Sequence, residues 1–394
     1  MAATEREGLR RLGAIGSAAL ALPGVLPAVA VAEEAPEQGV LALKYLVYDE
    51  TQTVRTRYPY YDGSEPGRAD RVRVLSPAVH LLAPLGRRWS LEAGAVLDDV
   101  SGASPRYYSD LSGASHMSDR RTAYDAKLTR HFDRGALAVG AMQSDEYDFL
   151  SRAVSVEARW SSADNNTTLN LGLGATRDLI RPTKGGVLGV ASEHRNSGEA
   201  VFGFTLAASP NDLLQFTLAF SRGEGYFSDP YKLGDRRPRE RDTQTLTLRW
   251  NRFFEPVEGT LRSSLRQHLD SFGVRATTLE WQWVQPLPGA LTLSPSLRYY
   301  TQSAADFYLD PVSDLAVYPG AASSEGFNSA DTRLAGFGAV TLGLKLEWRW
   351  QAWSFDIKLD RYEQRAEWRS GGPGSPGIDP IQATLVQLGT SLRF

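Results

Sequence analysis

Val340-Thr341-Leu342-Gly343-Leu344-Lys345-Leu346-Glu347-Trp348-Arg349-Trp350 alternates without a break. Val340, Leu342, Leu344, Leu346, Trp348 and Trp350 fall on one face at a period of two, and Thr341, Gly343, Lys345, Glu347 and Arg349 fall on the other. A helix would mix the two sets on every face, whereas a strand separates them completely. The same separation runs through Leu246, Leu248 and Trp250 against Thr245, Thr247 and Arg249. It recurs in Leu261, Leu265 and Leu269 against Arg262, Ser264, Arg266 and His268, and in Leu279, Trp281 and Trp283 against Thr278, Glu280 and Gln282. In Leu169, Leu171 and Leu173 the opposing face is Asn170, Gly172 and Gly174. Past the N-terminal segment, no stretch reads as an amphipathic helix.

Extending the pattern along the chain predicts strands near 40–50, 70–84, 89–100, 120–132, 136–146, 149–161, 167–178, 199–208, 213–222, 242–254, 259–270, 276–285, 291–302, 338–350, 353–364 and 381–394. That is about sixteen, an even number, as in bacterial outer-membrane barrels. Connection lengths alternate too. Short turns such as Asp133-Arg134-Gly135 and Pro210-Asn211-Asp212 carry turn-forming residues. Longer connections, 51–69, 101–119, 179–198, 223–241, 303–337 and 365–380, lie between them, with tight exceptions at Glu146–Asp148 and Ser271–Arg275. A sandwich has no reason to keep that parity; a barrel with short periplasmic turns and long outer loops does. The fold expected is all-β, a closed antiparallel transmembrane β-barrel.

Composition narrows the class further. Lys and Arg number 43 against 46 Asp and Glu, a net charge of −3, which argues against a nucleic-acid partner. With no cysteine, disulfides, Cys-ligated zinc and thiol catalysis are excluded. A mean hydropathy of −0.31 excludes a helical membrane protein. At the N-terminus Arg6, Arg10 and Arg11 precede a nearly charge-free stretch, Leu12–Ala32, that ends in the small-residue pattern Ala30-Val31-Ala32. This reads as a secretion signal over 1–32 cleaved after Ala32, leaving a barrel over 33–394. At the other end, Phe394 closes a strand with Leu392, Leu388 and Val386 on its own face. A terminal aromatic with alternating apolar positions before it resembles the signal read by the barrel-assembly machinery. In hydrocarbon every backbone polar group must pair within the protein, so a sheet spans only if it closes.

Several strings resemble one family. They include Ser101-Gly102-Ala103-Ser104-Pro105, Asp119-Arg120-Arg121, Tyr147-Asp148-Phe149-Leu150-Ser151-Arg152 and Asp164-Asn165-Asn166-Thr167-Thr168. Gly223-Glu224-Gly225-Tyr226, Ser228-Asp229-Pro230-Tyr231-Lys232, Asp235-Arg236-Arg237-Pro238 and Tyr299-Tyr300-Thr301-Gln302-Ser303 belong with them. Together they resemble the proteobacterial outer-membrane family catalogued as domain-of-unknown-function family 3570, over most of the mature chain. The resemblance implies a barrel and no defined activity. The family's association with flavin-transferase and thioredoxin-like genes implies redox- or metal-related envelope work.

Candidate sites fall into three groups. Alternation assigns Lys127, Arg159, Arg249, Arg262, Arg266, His268, Glu280, Arg298, Lys345, Glu347 and Arg349 to the lumen, with Lys44, Arg71, Arg73 and Lys358 among further basic groups there. The loop after strand nine mixes Tyr226, Tyr231, Lys232, Arg236 and Arg237, residues suited either to lipopolysaccharide phosphates or to narrowing a pore. Asp306, Asp310, Asp314 and Asp331 offer carboxylates for a calcium ion, although scattered solvated acids are the simpler reading. Ser112, Ser115 and His116 sit near Asp110 and Asp119, but no Gly-x-Ser-x-Gly elbow accompanies them. No catalytic set, metal site or cofactor is expected.

The function expected is a pore for small hydrophilic solutes. The alternative is a plugged structural or binding barrel that anchors an envelope complex. Expected partners are outer-membrane lipid and lipopolysaccharide, the assembly machinery, further copies of the chain and a periplasmic protein the sequence does not identify. The mature chain should fractionate with the outer membrane and migrate faster on gels when unboiled than when boiled. Recovery in the soluble periplasmic fraction after osmotic shock would refute the barrel.

Overall fold

Each alternating segment pairs with the next, and the last returns to the first. The computed structural model describes residues 35–55, 66–103, 116–183, 186, 189–232, 235–310, 312–314 and 326–394. Its strands are β1 (Val40–Val54), β2 (Gly67–Pro84), β3 (Trp89–Ala103), β4 (His116–Phe132), β5 (Gly135–Asp145), β6 (Phe149–Ser161), β7 (Thr167–Ile180) and β8 (Glu193–Ser209). The second half comprises β9 (Asp212–Gly225), β10 (Glu240–Phe254), β11 (Gly259–Asp270), β12 (Arg275–Leu287), β13 (Leu291–Gln302), β14 (Phe337–Trp350), β15 (Trp353–Arg365) and β16 (Ile381–Arg393). All neighbours are antiparallel and the sheet is a closed barrel of these sixteen strands. The chain is therefore an all-β closed antiparallel barrel, as the alternation predicts. Single-turn 3-10 helices at Glu255–Val257, Thr332–Leu334 and Ala366–Trp368 are its helical elements among the described residues. The secretion signal with its cleavage site at Ala32 lies outside the described residues.

The seam joins β1 to β16 from Val40 opposite Arg393 to Gln52 opposite Ile381. Two further bonds extend it: Gly39 N–H donates to the Phe394 carbonyl at 2.8 Å, and Phe394 N–H donates back at 3.0 Å. A Cβ at Gly39 would lie 2.4 Å from the Phe394 ring. The final aromatic thus crosses the first strand where only glycine leaves room.

Burial follows the faces. Leu342, Leu344, Leu346, Trp348 and Trp350 are exposed on the outer wall, while Lys345 and Glu347 between them are half-buried inside. Around the short-turn end, Trp348, Trp350, Trp353 and Phe355 stack with centroids 5.7–6.4 Å apart, and Arg130 lies over Trp89 and Phe132. Amphipathic rings gain at a headgroup boundary, which accounts for a girdle there.

Two departures from the alternation have local causes. Strands run longer at the outer end than the apolar pattern alone suggests; β8 starts at Glu193 and β9 continues to Gly225. Crossing hydrocarbon takes only about 9–11 residues, and beyond it the ladder continues in water with polar side chains. The second departure corrects a face. Arg73 is not in the lumen: it lies on the outer wall beside Asp49, Nε to Oδ1 3.5 Å. The β1–β2 register shifts between Asp49 and Thr51, so Arg71 and Val72 together oppose Glu50. A bulge of this kind inverts the parity beyond it. Arg71 is accordingly buried inside, donating from Nε to Gln52 at 2.9 Å.

The two faces of β14 should respond oppositely to substitution. Leu344→Arg should destabilise the barrel by about 2–4 kcal/mol if the position lies near the midplane, whereas Lys345→Leu should be far milder. Urea or guanidinium unfolding of the refolded variants measures both, and the reverse ranking would overturn the faces.

Candidate functional site

The outer connections do not stand apart; they bind one another. Chain 226–239, after β9, meets chain 303–336, after β13, through an antiparallel bridge in which Arg236 and Asn328 exchange backbone bonds of 2.8 and 2.9 Å. Asp331 is the hub. Its carboxylate is fully buried and accepts from Arg237 Nη2 at 2.9 Å and Arg333 Nη2 at 2.5 Å, with Lys232 Nζ at 3.4 Å. Arg237 also donates to Asp235 at 2.8 Å, and Asp235 accepts from Ser329 Oγ at 2.6 Å. Burial pushes the Asp331 carboxyl up, but Arg333, Lys232 and Arg237 outweigh it and hold the group well below the usual carboxylate range. Burial pulls Lys232 down from the ordinary lysine value, against the pull of Asp331 and Asp229.

Apolar contacts run through the same assembly. Phe227 and Phe307 meet Phe272 edge-to-face at 5.9 and 5.1 Å, over Val274, Ala305 and Leu334. On the far side Ser375 and Gly336 exchange bonds, and Gly377 N–H donates to Asp310 at 3.0 Å. On the near side Tyr231 Oη donates to Asp148 at 2.5 Å and accepts from Thr183 N–H at 2.8 Å. The connections after β5, β7, β9, β11, β13 and β15 thereby form one roof.

Beneath Phe227 a polar cavity of about 410 Å³ opens between β4 and β10, lined among others by Arg121, Glu146, Asp178, Arg195 and Arg241. Its arginines are paired: Arg121 with Asp98 at 3.0 Å, Arg195 with Asp178 at 2.6 Å, Arg241 with Asp270 at 2.5 Å. Deeper in the barrel the two walls differ. Lys127 is paired with Glu92 and reaches Glu157, Lys345 and Arg349 share Glu347, and Lys358 holds Asp360. Across β10, β11 and β13, Arg249, Arg262, Arg266 and Arg298 face inward, remain exposed, and make no ion pair among the described residues. Glu280 stands opposite Arg298 in register, and His268 Nδ1 meets Thr245 Oγ1 at 3.0 Å. Arg159 also points inward, from β6.

A family model described as "Protein of unknown function (DUF3570)" matches residues 110–378. The chain belongs to this family. None of the curated proteins matches it. Among solved structures, the siderophore receptor PirA from Pseudomonas aeruginosa is 12% identical, with 88% of this chain and 61% of that one covered and a TM-score of 0.46. CdiB from Acinetobacter baumannii is 9% identical, covering 89% and 60%, TM-score 0.48. A Pseudomonas aeruginosa FadL homologue is 12% identical, covering 90% of each chain, TM-score 0.44. The chain spans about three fifths of the first two, and at such identities the likeness says nothing of function.

In this DUF3570 barrel the basic loop residues singled out in the sequence are committed to the roof. Tyr226 is buried with its N–H on the His194 carbonyl, and Lys232 and Arg237 are consumed by Asp331 and Asp235. The phosphate-binding reading of Tyr226, Tyr231, Lys232, Arg236 and Arg237 therefore gives way to a structural one. The acids proposed for calcium form no cluster of three or more among the described residues: Asp310 accepts from the N–H groups of Val312 and Ser313, Asp314 from that of Asp310, and Asp331 takes the cations. Ser112, Ser115 and Asp110 lie outside the described residues, as does the side chain of His116. Sequence reasoning gave no role to Glu146 or to Asp148, whose partner Tyr231 lies in another connection; Asp235 reads from the sequence as a local counter-charge for the loop's basic groups, and the structure adds Ser329 from the connection after β13. The acid-rich string beside Arg236-Arg237 was the one available signal.

Glu146 sits in the β5–β6 turn, where burial, then Asp119, then Asp148 push its carboxyl up to about 8. A carboxyl raised on folding contributes stability that is intact below its unfolded value of 4.5 and is lost as pH rises through about 8. Ionised Glu146 would repel Asp148, the acceptor of Tyr231. The 226–232 segment should therefore exchange its amide hydrogens faster at about pH 9 than at about pH 6 after correction for intrinsic rates. Glu146→Gln should abolish that difference; an unchanged pH dependence in the variant would remove Glu146 from the explanation.

Proposed function

We propose that this barrel resides in the outer membrane and is a channel for small hydrophilic solutes, with a preference for anions and an outer mouth narrowed by the loop roof. The observation that carries this reading is the inward row of Arg249, Arg262, Arg266 and Arg298, exposed and without carboxylate partners. Buried guanidiniums without counter-charges are costly, so these four require water around them. Water along a wall of a barrel of about 16 strands is what a channel of that size holds. Lumen anions would then meet fixed positive charge on β10–β13 and neutralised charge on β14–β15. A second reading, a closed barrel serving as receptor or anchor, is favoured by the roof itself, which ties most outer connections together around Asp331.

Conductance across a planar bilayer separates the two. The protein should give steady openings whose reversal potential in a salt gradient reports anion preference. Arg249→Glu with Arg298→Glu should move that potential toward cations. Asp331→Asn, which removes the carboxylate that Lys232, Arg237 and Arg333 share, should raise the conductance by loosening the roof. A wild-type barrel that never opens would leave the closed reading standing.

A further inference from the structure

We propose that the outer wall of β6–β9 carries a binding site for the phosphorylated headgroup of an outer-leaflet lipid, a proposal that rests on reading the chain as an outer-membrane barrel. The register places the residues in rows. Arg152 stands directly opposite Arg177, Arg177 opposite Asn196, and Asn196 opposite Glu224. One row closer to the membrane centre run Val154, Ala175, Gly198 and Arg222; one row further, Val156, Leu173, Ala200 and Phe220. All face outward. The arginines thus sit at the upper edge of the apolar band, on the end of the barrel that bears the long connections.

Two features of these rows suit a ligand. The first is charge. Like charges directly opposite each other weaken a sheet, and no carboxylate among the described residues pairs with either arginine. Arg152 donates from Nε only to the side-chain oxygen of Gln143, at 3.0 Å, and Arg177 makes no hydrogen bond or ion pair among the described residues. Arg222, by contrast, is held by Glu224 at 3.0 Å and Glu240 at 2.9 Å. The uncompensated charge therefore lies on the Arg152–Arg177 side. The second is shape. Ala175, Gly198 and Ala200 leave the wall hollow, and a Cβ added to Gly198 would meet nothing within 4 Å. The groove measures about 660 Å³. Val156, Leu173 and Phe220 are exposed below it.

Chemistry selects the occupant. Two guanidinium forks present donors in the geometry that phosphate oxygens accept. A soluble phosphate would use them and leave the hollow beneath facing hydrocarbon. A lipid phosphate uses both, with its head on Arg152 and Arg177 and its chains along the apolar rows. Within the basic chain 226–239, Lys232 and Arg237 are spent on Asp331 and Asp235, and Arg239 on Glu193.

Native mass spectrometry of the full-length refolded barrel in detergent, titrated with bisphosphorylated lipid A, tests the assignment. R152Q/R177Q should bind about tenfold more weakly, the size expected for losing charge-assisted bonds. R361Q, which removes an outer-wall arginine bonded to Thr384, should bind as the wild type does. Fully dephosphorylated lipid A should bind the wild type no better than R152Q/R177Q binds the bisphosphorylated form. Inorganic phosphate should fail to displace the lipid. Heat-modifiability establishes that each variant is folded, and R177Q alone serves if the double variant is not. Equal binding by the wild type and R152Q/R177Q would overturn the site, and so would displacement by inorganic phosphate. A chain absent from the outer-membrane fraction that still binds lipid A through these arginines would refute the location and uphold the site.

Discussion

Everything in this molecule depends on pairing every backbone N–H and C=O where water is absent. A sheet in hydrocarbon has no cheap edge, so β1 must find β16. The seam is closed beyond its regular ladder by the mutual bonds of Gly39 and Phe394, with the terminal ring laid over the glycine. Phe394 therefore contributes both backbone and ring to closure. Once the sheet closes, the outer face must be apolar and the inner face is free to be polar. The alternation in each strand follows from that asymmetry.

Inside, charge is handled in two ways at two depths. Near the outer mouth several carboxylates and cations are buried and paired, with Asp331 taking three cations and Asp98 taking Arg121. Buried pairs of this kind add little net stability over apolar packing, but losing one partner is expensive, by about 3–5 kcal/mol. They fix which connections meet. Deeper in the lumen, the β10–β13 arginines are left open to solvent instead. The roof is specific, and the arginines below it make no ion pair among the described residues.

Arginine thus does four different jobs in one chain, decided by surroundings and not by residue type. Arg237 and Arg333 lock loops, Arg249 and Arg298 face the lumen with no ion pair among the described residues, and Arg152 and Arg177 stand opposite each other on the outer wall. The same group at the short-turn end, Arg130, lies over Trp89 and Phe132. Each is tolerated because its head reaches solvent, a carboxylate or a ring face.

The barrel was legible in the sequence because a strand's two faces meet different solvents, which writes a period of two into segments such as Val340–Trp350. Strand number, their order and the inward direction of Lys345 or Arg249 follow from that local rule. It fails where the backbone breaks its own period: Arg71 turns inward while Arg73, two residues on, points outward, because Arg71 and Val72 share one partner, Glu50. The roof's long-range pairings were not legible. Asp331 meets Lys232 and Arg237 from roughly a hundred residues away, and Tyr231 meets Asp148 across a similar gap. Such pairings obey no local period, because only the circular order of the strands brings those connections to one mouth. The row of Arg152, Arg177 and Gly198 has the same origin, since the register of three neighbouring ladders sets it.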